Sequence, residues 1–302
     1  KLSVTLLPVY FILKNVDLSI TFELITNIGI PYLVSAIAVL LLQILVMTHR
    51  WKIVLDNLSI DLSFKNIIHI FWIGLFFNQI LPTSIGGDAM RGYYLYQRGY
   101  SFVKTSQGVL IDRIIGLTAL VFLIIITLPL GLQLVDSDNA RWGLIIILIF
   151  SIFALTLLLN INTISSRFQK WNLINKFSSI MAVIKNNIFS VNPGFKLLLI
   201  SLLVHFLSIL TMTILTIGMQ LELKIIELLV IVPVVTLLMM LPISIAGWGI
   251  REGAMIIGLG FLGVGPENAF ALSLLYGLLM LSISIPGGAI WVVTSKPGDT
   301  ND

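Results

Sequence analysis

The chain has 302 residues, of which 58% are hydrophobic and 11% are charged, with a formal net charge of +4. Soluble domains carry about 25% charged residues, so this composition, with a mean hydropathy of +1.05, excludes a soluble globular domain. The chain has no cysteine, which excludes disulfides and thiolate metal sites.

Apolar stretches long enough to cross a bilayer recur along the chain, each needing about 20 residues as a helix. Full transmembrane helices are predicted, in chain order, at 31–48, 106–133, 142–160, 195–220 and 267–294, and the short run 2–13 is a sixth candidate. Two further apolar runs, 66–81 and 225–241, each end in the motif LPxSI. The predicted fold class is an all-α polytopic membrane protein.

The basic residues determine the predicted topology and are interpreted as topology signals, not as a nucleic-acid surface. The loop 161–195 holds four basic residues and no acid, so the positive-inside rule places it in the cytoplasm. Counting back along the chain puts both ends of segment 66–104 in the cytoplasm, which makes it a re-entrant hairpin with its tip near 82–87. Counting forward makes 225–266 a second hairpin, entered and left from outside. The C-terminus is predicted to lie in the cytoplasm.

The two hairpin tips carry related sequences, LPTSIGGDAMRG at 81–92 and LPISIAGWGIREG at 241–253. Leu, Pro, Ser, Ile, Gly and Arg recur at a constant offset, and chance similarity of two helix-breaking loops is the alternative explanation. An odd number of full spans separates the copies, so the second is inverted, as in many secondary transporters. We predict one transmembrane domain over 1–302, with repeats at about 31–133 and 195–294.

The hairpin tips are predicted to bind a lipid headgroup. Non-helical backbone at membrane depth must be buried in protein or line a wet cavity, and helix N-termini attract anions such as phosphate. An arginine inside the membrane costs about 2.5–3.5 kcal/mol on insertion scales, which favours a functional reason for it. The predicted headgroup-binding residues are Arg91, Arg251, Thr83, Ser84, Gly86, Gly87, Ser244, Gly247 and Asn78. A gating or charge-pairing role is predicted for Asp88, Glu252, Asp112 and Arg113.

Several of these residues also have a purely structural interpretation. Asp88 and Arg91, three residues apart, can form a helix cap and an ion pair. Asn78 can bond a neighbouring helix. The segment 50–52, Arg-Trp-Lys, is interpreted as a cytoplasmic aromatic-basic anchor, and His205 as a helix–helix hydrogen bond.

Recognisable catalytic motifs are missing from the sequence. The three histidines lack metal-ligand spacing, and HExxH, GxSxG and P-loop motifs do not occur. No catalytic residue, metal or cofactor is therefore predicted.

Four segments together resemble a known family: HRWKIVL, FFNQILPTSIGGDAMRGYYL, VLIDRIIGL and LPISIAGWGIREGA. Over about residues 30–295 the chain is similar to the membrane domain of bacterial lysylphosphatidylglycerol synthase/flippase proteins. The resemblance implies a domain that flips an aminoacylated anionic lipid, expected here as a stand-alone member without the soluble synthase domain. It also implies a protein of the inner membrane of a prokaryotic cell. The motif positions it carries over are Asn78, Pro82, Gly86, Gly87, Asp88, Arg91, Asp112, Arg113, Gly247, Gly249, Arg251 and Glu252.

The leading functional prediction is a flippase that moves an anionic phosphate-headgroup lipid between leaflets by alternating access. The lipid is a phospholipid, an aminoacylated phosphatidylglycerol or a polyprenyl phosphate. One alternative is a module that presents a lipid-linked sugar to a partner glycosyltransferase. Another is an intramembrane enzyme acting on a lipid phosphate, with Asp88 or Glu252 as base. A lipid synthase or glycosyltransferase is the expected protein partner, and the sequence leaves the oligomeric state open.

Overall fold

A computed structural model describes residues 14, 16–81, 85–160, 191–240 and 247–294. Over these residues the chain is all-helical, which confirms the predicted class. The helices of the described part are α1 Leu18–Thr26, α2 Ile30–Asn57, α3 Phe64–Ile80, α4 Gly86–Gln97, α5 Phe102–Leu134, α6 Asp138–Leu159, α7 Val191–Gly218, α8 Ile225–Met239, α9 Ile250–Gly260 and α10 Pro266–Thr294.

Five of the described helices are long and apolar enough to cross a membrane. They are Ile30–Asn57, Phe102–Leu134, Asp138–Leu157, Pro193–Gly218 and Pro266–Thr294. Each coincides with one of the five full spans predicted from the sequence. The sixth candidate, 2–13, and residues 161–190 of the basic loop lie outside the described residues. The protein is a multi-pass membrane protein.

Local chemistry determines where the two helices of the first hairpin begin and end. The Ser63 hydroxyl accepts a hydrogen bond from the Asn66 amide and caps the start of α3. Leu81 is extended, with ψ at 142°, as expected for a residue that precedes a proline. The helix therefore ends at Ile80, and α4 begins six residues later, at Gly86.

The helices α3 and α4 form an antiparallel hairpin. Asn78 contacts Gly87, and Gly74, one turn further back, contacts Arg91. At the open end, the Tyr100 hydroxyl donates to the carbonyl oxygen of Asp61, 2.9 Å away. The chain therefore returns to the place where the hairpin began.

The helices α8 and α9 form a second antiparallel hairpin. Met239 lies against Gly247, and Ile231 lies against Gly258. Gly247 and Gly249 have φ angles of 82° and 84°. Residues with a side chain rarely adopt such angles, so the start of α9 needs glycine. The four hairpin helices have 17, 12, 15 and 11 residues. At about 1.5 Å per residue, each is shorter than a bilayer core of about 30 Å.

Two sets of four helices have the same order and the same contacts. The helices α2–α5 run long, short, short, long, and α7–α10 repeat that order. The main contacts come in matching pairs: α2 meets α3 as α7 meets α8, and α3 meets α10 as α8 meets α5. Similarly, α4 packs on α5 as α9 packs on α10, and α5 packs on α7 as α10 packs on α2. The remaining helices, α1 and α6, pack on α10 and α5 respectively.

The equivalent helices α2 and α7 cross in antiparallel orientation. Tyr32 near the start of α2 lies against Gly218 at the end of α7, whereas Arg50 meets Ser201. Between these contacts, the Gln43 amide reaches the carbonyl oxygen of Val204. Gln43 and Val204 are each the fourteenth residue of their helix. Equivalent positions thus meet at the crossing, as they do in two helices related by a two-fold axis.

Candidate functional site

A cavity of about 310 Å³ lies between the two sets of helices, and each of the eight helices contributes to its wall. Of the residues predicted for the site, the cavity is lined by Asn78, Asp88, Arg91, Asp112, Arg113, Gly247 and Arg251. The structure therefore places the arginines of both sequence copies on one shared cavity.

A chain of ion pairs runs along one side of the cavity, buried except at Arg113, whose side chain is 33% exposed. The Nη1 atom of Arg91 lies 3.3 Å from Asp88, and its Nη2 atom lies 3.0 Å from Asp112. The second oxygen of Asp112 accepts from Nε of Arg50 at 2.8 Å, and the second oxygen of Asp88 accepts from Arg113. Three arginines and two aspartates alternate, so the chain carries one positive charge in excess when all five are ionised.

The Arg91 guanidinium is packed against aromatic rings. It lies 4.0 Å above the centroid of Trp51 and 4.7 Å from that of Phe71, and such cation–π contacts contribute about 2 kcal/mol when desolvated. A Cβ atom at Gly74 would lie 2.8 Å from Cγ of Arg91, so a glycine is needed for this packing. The Nε of Arg91 is buried and has no hydrogen-bond partner among the described residues. The guanidinium thus keeps hydrogen-bonding capacity that the described protein does not use.

Arg251, the counterpart of Arg91, is neutralised in a different way. Its Nη2 atom lies 2.6 Å from Oε1 of Glu252, and its Nε atom is 3.2 Å from the Ser273 hydroxyl. The guanidinium stacks 4.6 Å from the ring of Trp248. A Cβ atom at Gly277 would lie 2.0 Å from Nη2, so the absence of a side chain at Gly277 makes room for the guanidinium. One carboxylate balances one arginine here, whereas the ion-pair chain around Arg91 carries one positive charge in excess.

The N-termini of α4 and α9 are partly satisfied within the protein. The sequence predicts that both present free N–H groups to a ligand. Instead, the Gly87 amide donates to the Asn78 side chain at 2.8 Å, and the Gly249 amide donates to Glu252 at 2.6 Å. The prediction is wrong for these two amides, because neighbouring side chains accept their hydrogen bonds. Asn78 contacts the neighbouring helix, as its structural interpretation expects.

The other residues predicted for the site are placed elsewhere. Gly86 and Gly87 do not line the cavity: a Cβ atom on Gly86 would lie 2.6 Å from Leu81, and one on Gly87 would lie 1.9 Å from the carbonyl oxygen of Gly74. Glu252 is buried beside Arg251. Thr83, Ser84 and Ser244 lie outside the described residues.

Arg50 and Trp51 are site residues that the sequence interpretation missed. Arg50 is 5% exposed and donates to Asp112 and to the Ser201 hydroxyl, and Trp51 is fully buried, so neither anchors the chain at an interface. Lys52 fits that role better, because it is partly exposed and pairs with Asp56. The helical spacing of positions 40, 43, 47 and 50 puts Arg50 on the same face of α2 as Gln43. In the structure all four residues line the cavity.

Neutral polar groups line another part of the cavity wall. Nε2 of Gln43 donates to the Ser208 hydroxyl at 2.7 Å, and Tyr276 also lines the cavity. Nε2 of His205 lies 3.1 Å from the carbonyl oxygen of Gly116 on α5, which confirms the predicted helix–helix hydrogen bond. Among the described residues, no group of three or more metal-ligating side chains is placed to hold an ion.

Methionines form much of the apolar wall. Six of the nine methionines of the chain line the cavity, namely Met47, Met212, Met239, Met240, Met255 and Met280. Methionine side chains are flexible and polarizable, so this wall can adapt to ligands of different shape. The cavity thus combines a cationic side, a neutral polar strip and a soft apolar side.

The fold and the site define a multi-pass α-helical membrane protein with a charged internal cavity shared by two similar sets of helices. The chain belongs to the family described as the lysylphosphatidylglycerol synthase TM region, which it matches over residues 1–287. Membership of this family indicates a membrane role related to lipids.

Archaeal membrane proteins are among its relatives. The chain is 23% identical over 299 residues to UPF0104 membrane protein MJ1595 of Methanocaldococcus jannaschii, covering 91% of this chain and 88% of the relative. It is 27% identical over 226 residues to UPF0104 membrane protein MJ1078 of the same organism, covering 72% and 92% respectively. No solved structure matches the chain significantly.

Proposed function

We propose that this protein is a lipid flippase, which moves a lipid with an anionic phosphate headgroup between the leaflets by alternating access. The observation that carries the proposal is the shared cavity: Arg91 and Arg251, at corresponding places in two similar sets of helices, line the same space. A buried site with excess positive charge attracts an anion, and arginine is well suited to bind phosphate.

The cavity is proposed to take the headgroup, while the lipid tails stay in the bilayer. Its volume of about 310 Å³ is at the lower end of small-molecule pockets, which suits a headgroup better than a whole lipid. In the resting protein, Asp88 and Asp112 occupy the hydrogen-bonding edges of the Arg91 guanidinium. The phosphate competes with these carboxylates, so binding and the rearrangement of the ion-pair chain are coupled.

Alternating access is proposed to follow from an inverted repeat, with α3–α4 and α8–α9 as re-entrant hairpins. The antiparallel crossing of the equivalent helices α2 and α7 supports inversion, because a repeat flipped across the membrane reverses every helix direction. The short lengths of the four hairpin helices support re-entry. Transporters of this kind open one side and then the other by rocking similar halves around a central site.

The proposal is one of transport without chemical change to the lipid. The protein is proposed to act in the cytoplasmic membrane, downstream of a separate enzyme that makes the lipid or beside a glycosyltransferase that uses it. The residues 161–190 and the C-terminal end are proposed to face the cytoplasm.

The test is translocation of a fluorescent phospholipid by the purified protein in vesicles, comparing Arg91→Ala with Arg98→Ala. Arg98 is exposed at the C-terminal end of α4, so its replacement removes the same charge away from the cavity. We expect Arg91→Ala to slow translocation at least about tenfold, because losing a buried charged contact costs about 2–5 kcal/mol. The translocation rate of Arg98→Ala should stay within about twofold of the wild-type rate, since exposed ion pairs contribute little free energy.

Folding is checked on the same samples by size exclusion and thermal unfolding. Asp88 and Asp112 keep Arg113 and Arg50 as partners when Arg91 is removed, so the variant should remain folded. A folded Arg91→Ala protein that translocates lipid at the wild-type rate would contradict the proposal.

A further inference from the structure

We propose that the cavity binds one proton together with the phosphate headgroup, at Nδ1 of the His205 imidazole, so that lipid and proton move across the membrane together. This inference rests on the proposed function and adds a second transported species to it. It is carried by the hydrogen bonding of His205 and by the position of its ring beside the ion-pair chain.

The first observation is that one ring nitrogen of His205 is bonded and the other is open. Nε2 lies 3.1 Å from the carbonyl oxygen of Gly116. A carbonyl oxygen only accepts, so Nε2 carries a hydrogen, and Nδ1 of the neutral ring has a lone pair. Nδ1 makes no hydrogen bond to a described residue and keeps some exposure. Because His205 is only 9% exposed and lines the cavity, this proton acceptor faces the cavity.

The second observation is that the ring lies beside Arg50, at one end of the ion-pair chain. Ser201, one turn before His205 on α7, accepts from Nη1 of Arg50 at 3.1 Å. A Cβ atom on Gly116 would lie 3.3 Å from the same Nη1 atom. Gly116 thus contacts both the imidazole and the guanidinium, and an anion bound at this end of the chain lies near the ring.

These contacts couple the binding of a proton to the binding of a phosphate. A proton on Nδ1 makes His205 a second cation beside Arg50, and like charges at close range oppose each other. A phosphate supplies the negative charge that both cations need, and the imidazolium can donate from Nδ1 to it while Nε2 keeps its bond to Gly116. Coupling between two ligands is reciprocal, so phosphate and proton each increase the affinity of the cavity for the other. The proton comes from water on one side and returns to water on the other.

Histidine is suited to this role because its ordinary titration lies between about pH 5 and 8. The carboxylates at the cavity are held by arginines, and Glu252 is buried beside Arg251. Among the described residues, α3 and α8 contribute no charged side chain to the cavity wall. The charged and titratable groups that share the wall with His205 are Arg50 on α2, Asp88 and Arg91 on α4, Asp112 and Arg113 on α5, Arg251 on α9 and Tyr276 on α10.

The first test measures proton uptake on binding, without transport. The purified protein in detergent is titrated with short-chain phosphatidylglycerol in buffers of different ionisation enthalpy. The dependence of the calorimetric enthalpy on the buffer gives the number of protons taken up per lipid. A phosphodiester is used because a phosphomonoester has an ionisation of its own near about pH 6. For the wild type we expect at least about half a proton per lipid at the maximum between about pH 5 and 8.

The second test measures transport in vesicles with a fluorescent phosphatidylglycerol and an imposed difference of one pH unit. We expect translocation away from the acidic side to become at least about threefold faster than without the gradient, because one pH unit is a tenfold difference in proton concentration.

Variants of histidine separate proton binding from packing. His205→Gln keeps an amide nitrogen that can donate to Gly116 but does not titrate, so proton uptake should fall below about 0.1 per lipid and the response to the pH gradient should disappear. The matched control is His49→Gln at an exposed position of α2, which should behave as the wild type. If His205→Gln does not fold, nitrogen NMR of the wild-type rings gives the answer. The chain has three histidines, so His49→Gln and His69→Gln assign the signals, and lipid should convert His205 to the doubly protonated ring.

The outcomes separate this inference from the proposed function. Translocation by a wild-type protein that takes up no proton, or that takes up as many as His205→Gln, overturns the inference and leaves the flippase standing. Translocation that ignores the pH gradient overturns the joint movement of lipid and proton. Proton uptake at His205 with only background translocation supports the proton site and removes the flippase.

Discussion

At the scale of single residues, glycines allow the helix backbones to approach each other. A Cβ atom at Gly87 would lie 1.9 Å from the carbonyl oxygen of Gly74, and one at Gly287 would lie 2.1 Å from that of Trp72. Both contacts are with backbone atoms, which cannot move aside as a side chain can. Gly92, also on α4, has nothing within 4 Å of the added atom.

These glycines make a direct test of the first hairpin. We expect Gly87→Ala to lower the free energy of unfolding by about 1–3 kcal/mol, the usual cost of overpacking. Gly92→Ala should be neutral or should raise it by about 0.4–1 kcal/mol, because alanine restricts the unfolded chain. Thermal unfolding in detergent measures both. Equal behaviour of the two variants would show that α3 and α4 do not pack as the structure describes.

At the scale of helices, Asp112 joins three elements through one carboxylate. It lies on α5 and contacts Arg50 of α2 and Arg91 of α4, and it is almost fully buried. Each of its oxygens accepts from a different arginine, so moving either helix away breaks a buried ion pair. The ion-pair chain therefore sets the positions of α2, α4 and α5 relative to one another.

Replacing Asp112 should be far more damaging than replacing an exposed aspartate. Asp112→Asn removes the negative charge that pairs with both Arg50 and Arg91. Breaking a buried ion pair in this way costs about 3–5 kcal/mol. Asp56→Asn, which removes the exposed partner of Lys52, should cost about 0–1 kcal/mol. Chemical or thermal unfolding of both variants in one detergent gives the comparison. A loss below about 1 kcal/mol for Asp112→Asn would mean that its carboxylate is not essential to the contact.

The helices could be predicted much better than their contacts. The five long spans follow from length and hydropathy alone, and Pro82, followed by glycines at 86 and 87, marks the end of α3. The role of Arg50 could not be predicted, because a basic residue beside Trp51 fits an interfacial anchor equally well. Its partner Asp112 is 62 residues away in the chain, and only the packing of α2 against α5 brings the two together. Capping of Gly87 by Asn78 depends similarly on the hairpin geometry.

At the scale of the whole molecule, the cavity belongs to neither set of helices alone. Each set contributes one hairpin and two long helices to its wall. The two sets are similar in contacts but unlike in charge, since Arg91 lies in a chain of three arginines and two aspartates, whereas Arg251 pairs with Glu252 among the described residues. The positive excess is therefore concentrated around Arg91.

The topology of the hairpins can be tested by labelling, because the chain has no cysteine of its own. Single cysteines at exposed Asp61 and Gln97 should both react from the cytoplasmic side with an impermeant maleimide, and one at exposed Glu222 should react from outside. Inside-out and right-side-out vesicles distinguish the two sides. If α3 crossed the membrane fully, Gln97→Cys would react from the side opposite to Asp61→Cys.

The close approach of Gly287 to Trp72 has a mechanical consequence. With glycine packed on backbone, and with Phe77 set edge-on against Trp291, α3 cannot slide along α10 without unpacking both. The first hairpin is thus coupled as a rigid body to the last helix of the other half, and α8 contacts α5 in the matching way. Each hairpin therefore packs on a long helix of the other set of four helices. A hinge motion that kept these contacts would move the first hairpin together with α10, and the second hairpin together with α5.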